Sequence, residues 1–282
     1  MKIFKTTLLA TAIALAGVAN SAMARDNLDN CYGAIASHVD TTAFQRPDRE
    51  LFVLIDQTMK PDAELKRELI RKTLGYLHQG DRITVVSFSA YAKKHYTELV
   101  FSGAFEHSLP EASFKSVPIR QTKAFKRCLK TQWSKGRTLI ANRIIEAITS
   151  EGDAYDFSHT ELVGTLNTLA KDLIGKSDAK ERSLLLLSDM FENSHMTTFF
   201  RKGEVRLIKP TAEMAKIKKA GMIPDLSGIK VYIIGGGWLE DGSLYQDARR
   251  LKAMRRFWER FFAASGGKLE GFGEPMLLTD IR

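Results

Sequence analysis

The stretch that decides the fold is ELFVLIDQTMKPD, residues 50–62. Residues 51–55 form an unbroken apolar run that stops at Asp56, with Thr58 two places later. A continuous apolar run of this length suits a central parallel strand covered on both faces. A carboxylate at the end of such a strand needs hydrogen-bond donors or a cation, because burying it bare is costly.

Outward from this run, strand and helix patterns alternate. DAELKRELIRKTLGYLHQG places Leu65, Leu69, Ile70, Leu74 and Leu77 on one helical face, with Gly80 where a helix C-cap belongs. DRITVVSFS (81–89) reads as a second strand and TELVFSG (97–103) as a short edge strand. Residues 104–122, with Pro110 and Pro118, are loop-like. A long helical region spans about 123–149, with Gly136 as a candidate break. SHTELVGTLNTLAKDLIG is a further helix in which Ser158 and Glu161 have capping-box spacing. SLLLLSD (183–189) and IKVYIIGGG (229–237) read as buried strands. A last helix over about 245–264 turns Leu251, Met254, Trp258 and Phe261 inward, and GGKLEGFG closes with a short strand. Strands alternating with helices predict a mostly parallel, doubly wound α/β sheet flanked by helices on both faces, a Rossmann-like three-layer fold.

The N-terminus has the pattern of a secretory signal. Lys2 and Lys5 precede the apolar run LLATAIALAGVA, and Ala22 and Ala24 supply small residues for cleavage before Arg25. That run is shorter than the roughly 20 residues a spanning helix needs. The reading is therefore 1–24 as signal peptide, 25–49 as an N-terminal arm and 50–282 as one domain, periplasmic or secreted and not an integral membrane protein. Formal charge is +9, which favours anionic partners in general, but export argues against nucleic acid. In an oxidising compartment Cys31 and Cys128 form a candidate disulfide; the rival reading makes Cys128 a small core residue of a helix.

Ligands of such sheets collect at the carboxyl ends of the strands. There Asp56, Thr58, Thr160 and Asp189 can converge, and a set of hard oxygens suits Mg²⁺, Mn²⁺ or Ca²⁺. The order of these parts resembles a von Willebrand factor A domain. That family places Asp-x-Ser-x-Ser after the first strand, a Thr at the start of a later helix and an Asp after the fourth strand. Asp56-Gln57-Thr58-Met59-Lys60, Thr160 in SHTELVGTL and Asp189 in LLLLSDM match in order. The resemblance implies a metal-ion-dependent adhesion site, with a protein partner supplying an acidic residue. Lys60 stands where the family has its second serine. Its ammonium is a candidate replacement for the cation, in which case no metal is bound; alternatively Lys60 points to solvent and the metal binds with one ligand fewer or through water.

Other features carry weaker signals. Phe199, Phe200 and Arg201 lie in a segment longer than a simple crossover needs and form a candidate partner-docking lip; the alternative is a loop tucked against its own domain. His195 reads as an exposed loop histidine. The basic face of the last helix reads as solvated, with membrane-surface contact as the alternative. The glycines at 235–237 lack phosphate-loop spacing and read as a turn. No nucleophile–base set has a local signature. The resulting reading is an exported protein-binding module of a cell-envelope assembly. A metal-dependent hydrolase using the same carboxylates is the runner-up, and a structural subunit with a dead site is the third.

Overall fold

The structure, a computed structural model, describes residues 28–91, 94–149, 160–239 and 247–282. The signal-peptide segment 1–24 and Ser158 lie outside the described residues. The apolar run is the strand β1 (Arg49–Asp56), and helix α1 (Ala63–Tyr76) follows it. β2 (Arg82–Tyr91) and β3 (Lys94–Ala104) come next, then α2 (Ile119–Thr149) and α3 (Leu162–Asp172). β4 (Glu181–Leu187) leads to a two-residue pair, β5 (Phe200–Arg201) and β6 (Glu204–Val205). α4 (Pro210–Lys219), β7 (Ile229–Ile234), α5 (Ala248–Ala264) and β8 (Lys268–Phe272) complete the order.

The six-stranded sheet runs β3-β2-β1-β4-β7-β8, and β1, β2, β4, β7 and β8 are all parallel. β3 pairs antiparallel to β2. Because strand side chains alternate between faces, the apolar runs feed two cores. Phe52, Leu54, Leu184, Leu186, Val231 and Ile233 meet the apolar faces of α3, α4 and α5. Leu51, Val53, Ile55, Leu185, Leu187 and Ile234 meet α1, α2 and the C-terminal residues Leu277 and Ile281. This is the expected three-layer α/β architecture, with the carboxyl ends of β1 and β4 adjacent at its centre.

Several boundaries differ from the sequence reading. The edge strand is 11 residues long, not a short one, because backbone pairing with β2 carries it back to Lys94. α1 ends at Tyr76, and Gly80 (φ +89°) sits in the turn entering β2 rather than capping the helix. Gly136 does not break α2, which runs 31 residues without interruption. It permits close packing instead: a Cβ there would stand 2.7 Å from Phe105 and 2.8 Å from Leu28. The N-terminal half of α2 holds a small third core, in which Phe125 and Leu129 pack with Tyr32, Ile35 and Phe114. Cys31 and Cys128 form a disulfide within it, joining the arm to α2 across 97 residues of chain.

Candidate functional site

β1 delivers Asp56 as its last residue, 1 % exposed. Its Oδ1 accepts from the Thr58 backbone N–H at 2.9 Å and the Thr58 hydroxyl at 2.6 Å. Its Oδ2 accepts from the Ser188 hydroxyl at 2.8 Å. Burial pushes the Asp56 carboxyl above its ordinary range, although these three donors pull the other way. Thr58 Oγ1 lies 3.0 Å from Thr160 Oγ1. Asp189 follows β4 by two residues, and its Oδ1 accepts from the Phe191 N–H at 2.9 Å. Its carboxyl is held well above the usual range, first by burial and then by repulsion from Asp56. Asp56, Thr58 and Thr160 are therefore joined by hydrogen bonds at the carboxyl edge of the sheet, and Asp189, two residues past the neighbouring strand, is near enough for the charge of Asp56 to oppose its ionisation.

The loops around them are tied by contacts that cross long distances in sequence. Thr160 does not sit in the first turn of α3; it precedes the helix by two residues and bridges to Asn193 through backbone hydrogen bonds of 3.2 and 2.8 Å. The helix has no local side-chain cap at Glu161. Glu192 supplies one from the other loop: its Oε2 accepts from the Val163 N–H at 3.0 Å. Glu192 is fully buried, its Oε1 has no hydrogen-bond partner among the described residues, and burial pushes its carboxyl up to about 8. Met190, beside Asp189, holds a left-handed backbone (φ 65°) that costs a β-carbon residue energy. The buried Trp258 of α5 holds the Met190 carbonyl with an indole N–H bond of 2.8 Å. The triglycine turn closes the other side. Gly235 (φ +91°) leaves room for Met59, whose Cε would stand 2.6 Å from a Cβ there, and Trp238 donates its indole N–H to the Lys60 carbonyl at 3.1 Å.

Ser188, Glu192 and Trp258 are the participants that sequence reasoning missed. Ser188 had a signal, since it is the penultimate residue of LLLLSD at a strand end; Glu192 and Trp258 had none. Lys60, the candidate to replace a cation, has an exposed side chain. The docking-lip reading of Phe199, Phe200 and Arg201 needs a correction. Phe199 is 1 % exposed and packs edge-on against Phe257 at 5.1 Å, so it belongs to the core. Phe200 is partly buried against Phe191, and only Arg201 is fully at the surface. His195 is exposed as expected, 3.6 Å from Glu161.

Among the described residues, no three His, Cys, Asp or Glu side chains cluster as metal ligands. A cation at this edge must therefore rest on two carboxylates and neutral hydroxyl oxygens. The donor set is of the kind a hard divalent ion takes, since all its atoms are oxygen. Protein-family profiles and curated protein sequences give no match to the chain. Solved structures are similar at low identity. An aerotolerance-related membrane protein from Bacteroides fragilis is 12 % identical, over 79 % of this chain and 92 % of that one, with a TM-score of 0.30. The N-terminal domain of TFIIH p34 is 12 % identical, over 81 % and 93 %, with a TM-score of 0.31. The pilus adhesin SpaC from Lactobacillus rhamnosus GG is 11 % identical, over 80 % of this chain and 28 % of that one, with a TM-score of 0.34. At these scores the likenesses carry no functional argument, and the fold class rests on the strand order itself.

Proposed function

We propose that the chain is a protein-binding module, of the von Willebrand factor A-like kind, that engages a partner's acidic group at the carboxyl edge of the sheet. The observation that carries this reading is the convergence of Asp56 and Asp189 with the paired hydroxyls of Thr58 and Thr160. Asp56, Thr58, Thr160 and Asp189 would hold a divalent cation, directly or through water. When bound, the ion supplies an open coordination position for a carboxylate oxygen of the partner. The chain's own residues do the rest. Ser188 and Thr58 fix the orientation of Asp56, the Thr160–Asn193 bridge brings the second hydroxyl alongside the first, and Trp258 holds the turn that aims Asp189. Because both acids carry raised pKa values, cation binding releases protons and strengthens as pH rises.

Calorimetric titration of the full chain with Mg²⁺, Mn²⁺ and Ca²⁺ tests the reading. Binding by the natural protein, lost in Asp189→Asn and retained in Lys60→Ser, is expected. Silence of the natural protein toward all three ions refutes the cation-dependent form.

A further inference from the structure

The longest helix carries a charge pattern that the strand-end site does not use. Between Ile119 and Ile145, α2 holds eight Lys and Arg residues and no Asp or Glu. Three of the eight are engaged within the fold. Lys126 pairs with Glu111, Arg137 donates to the Leu74 carbonyl, and Arg143 pairs with Glu146. The other five, Arg120, Lys123, Arg127, Lys130 and Lys135, are exposed, and none has a side-chain partner among the described residues. Arg120, Lys123, Arg127 and Lys130 follow the i, i+3, i+7, i+10 spacing of a single helical stripe, about 15 Å long. The buried residues Phe125, Leu129, Gln132 and Gly136 lie on the opposite side of the same helix.

This stripe works against its own helix. Like charges three and four residues apart repel, and cations in the first turns oppose the macrodipole. An external anion would relieve both costs. The stripe is also rigid. Phe125 and Leu129 seat this half of α2 in the third core, and the Cys31–Cys128 disulfide fastens it to the arm between Arg127 and Lys130. The surface is a convex, lysine-rich ridge, with Ile119 (75 % exposed) at its tip. Protein–protein interface cores are apolar and depleted of lysine, so this ridge is a poor protein interface. A cluster of Lys and Arg along a helix whose apolar side is already buried suits the headgroup plane of an anionic bilayer.

We infer that the N-terminal half of α2 is a docking ridge for an anionic lipid surface, contacting headgroups without insertion. This orients the module on a membrane independently of the cation site. The probe is the full chain co-sedimented with vesicles of about one-third phosphatidylglycerol in phosphatidylcholine. Each cation near such a surface changes partitioning by roughly fivefold. The triple variant Lys123→Gln/Arg127→Gln/Lys130→Gln should therefore bind on the order of a hundredfold more weakly, with an unchanged thermal midpoint. The comparison variant Arg249→Gln/Lys252→Gln/Arg256→Gln has the same net charge but alters α5, on the other face of the sheet and beyond the roughly 8–10 Å Debye length. It should bind within about threefold of the natural chain. Binding of the natural chain should also collapse at high salt and be absent on pure phosphatidylcholine. Three results would each overturn the assignment: equal binding to the two lipids, equal losses in the two variants, or a ridge-dependent affinity for duplex DNA with none for vesicles.

Discussion

Replacing Glu192 with glutamine should reverse sign in its effect on stability as pH rises. The folded chain holds the Glu192 carboxyl at about 8, against an ordinary value of 4.5, because burial opposes its charge and Glu161 repels it. The hydrogen bonds that favour its charged form, including Val163 N–H, only partly offset this. The folded state therefore binds more protons than the unfolded chain between these two values. Its stability from this group is complete below pH 4.5 and is lost as pH rises toward 8. At about 1.4 kcal/mol per unit, the loss between pH 5 and pH 8.5 comes to about 4 kcal/mol. Glutamine keeps a carbonyl to accept from Val163 and has no proton to lose. The protonated acid already places one O–H at Oε1, which has no partner among the described residues; the amide adds a second N–H there, at a cost of about 1–3 kcal/mol. The variant should thus be less stable than the natural chain at pH 5 and more stable at pH 8.5, the two curves crossing near neutrality. Urea unfolding at pH 5, 7 and 8.5, followed by far-UV circular dichroism, measures the difference, and groups common to both proteins cancel. A gap that stays constant within about 1 kcal/mol would refute the claim that this carboxyl is buried and neutral.

Removing the disulfide by Cys31→Ser/Cys128→Ser frees a loop of about a hundred residues, and chain entropy puts the cost at about 4–5 kcal/mol. Thermal melts should show the loss, and hydrogen exchange should place the earliest opening at Tyr32, Phe125 and Leu129. Gly235→Ala forces a β-carbon into a left-handed backbone and against Met59, so urea unfolding should report a loss of about 2–4 kcal/mol. Trp258→Phe keeps most of the packing but leaves the Met190 carbonyl buried without its donor, a loss of about 1–3 kcal/mol by the same measurement. Phe199→Ala should cost about 3–5 kcal/mol as a core deletion, whereas Arg201→Ala should be nearly neutral.

The alternation of strands and helices was legible because each buried strand is a short unbroken apolar run and each helix carries a 3.6-residue stripe. LFVLI, LLLL and YII could hardly be anything but central strands, and Leu251, Met254, Trp258 and Phe261 all face inward as their spacing requires. β3 was under-read because its first residues carry no apolar signal; backbone pairing with β2 holds them in the sheet. Phe199 was misplaced for a related reason. It lies in an irregular segment, where no periodicity separates a core side chain from a surface one, and its partner Phe257 is 58 positions away. The shared placement of Asp56, Thr58, Thr160 and Asp189 was legible because each belongs to a strand end or the approach to a helix, and such positions share an edge in a parallel sheet. Glu192 was not, since its partner Val163 lies 29 positions back and nothing local marks a glutamate as a remote cap.

These through-space contacts share one consequence. The turn carrying Asp189 is pinned from three directions: Ser188 Oγ accepts from Met190 N–H, Trp258 grips the Met190 carbonyl, and Gly237 N–H donates to the Asp189 carbonyl at 2.8 Å. A non-glycine residue stays in the left-handed region only when its surroundings over-determine it. The pinned turn keeps the Asp189 carboxyl where burial, and then the charge of Asp56, raise its pKa; the Asp56 carboxyl is raised by its own burial. In the proposed function a bound cation balances the charge of this edge, so binding depends on the separation of Asp56 and Asp189.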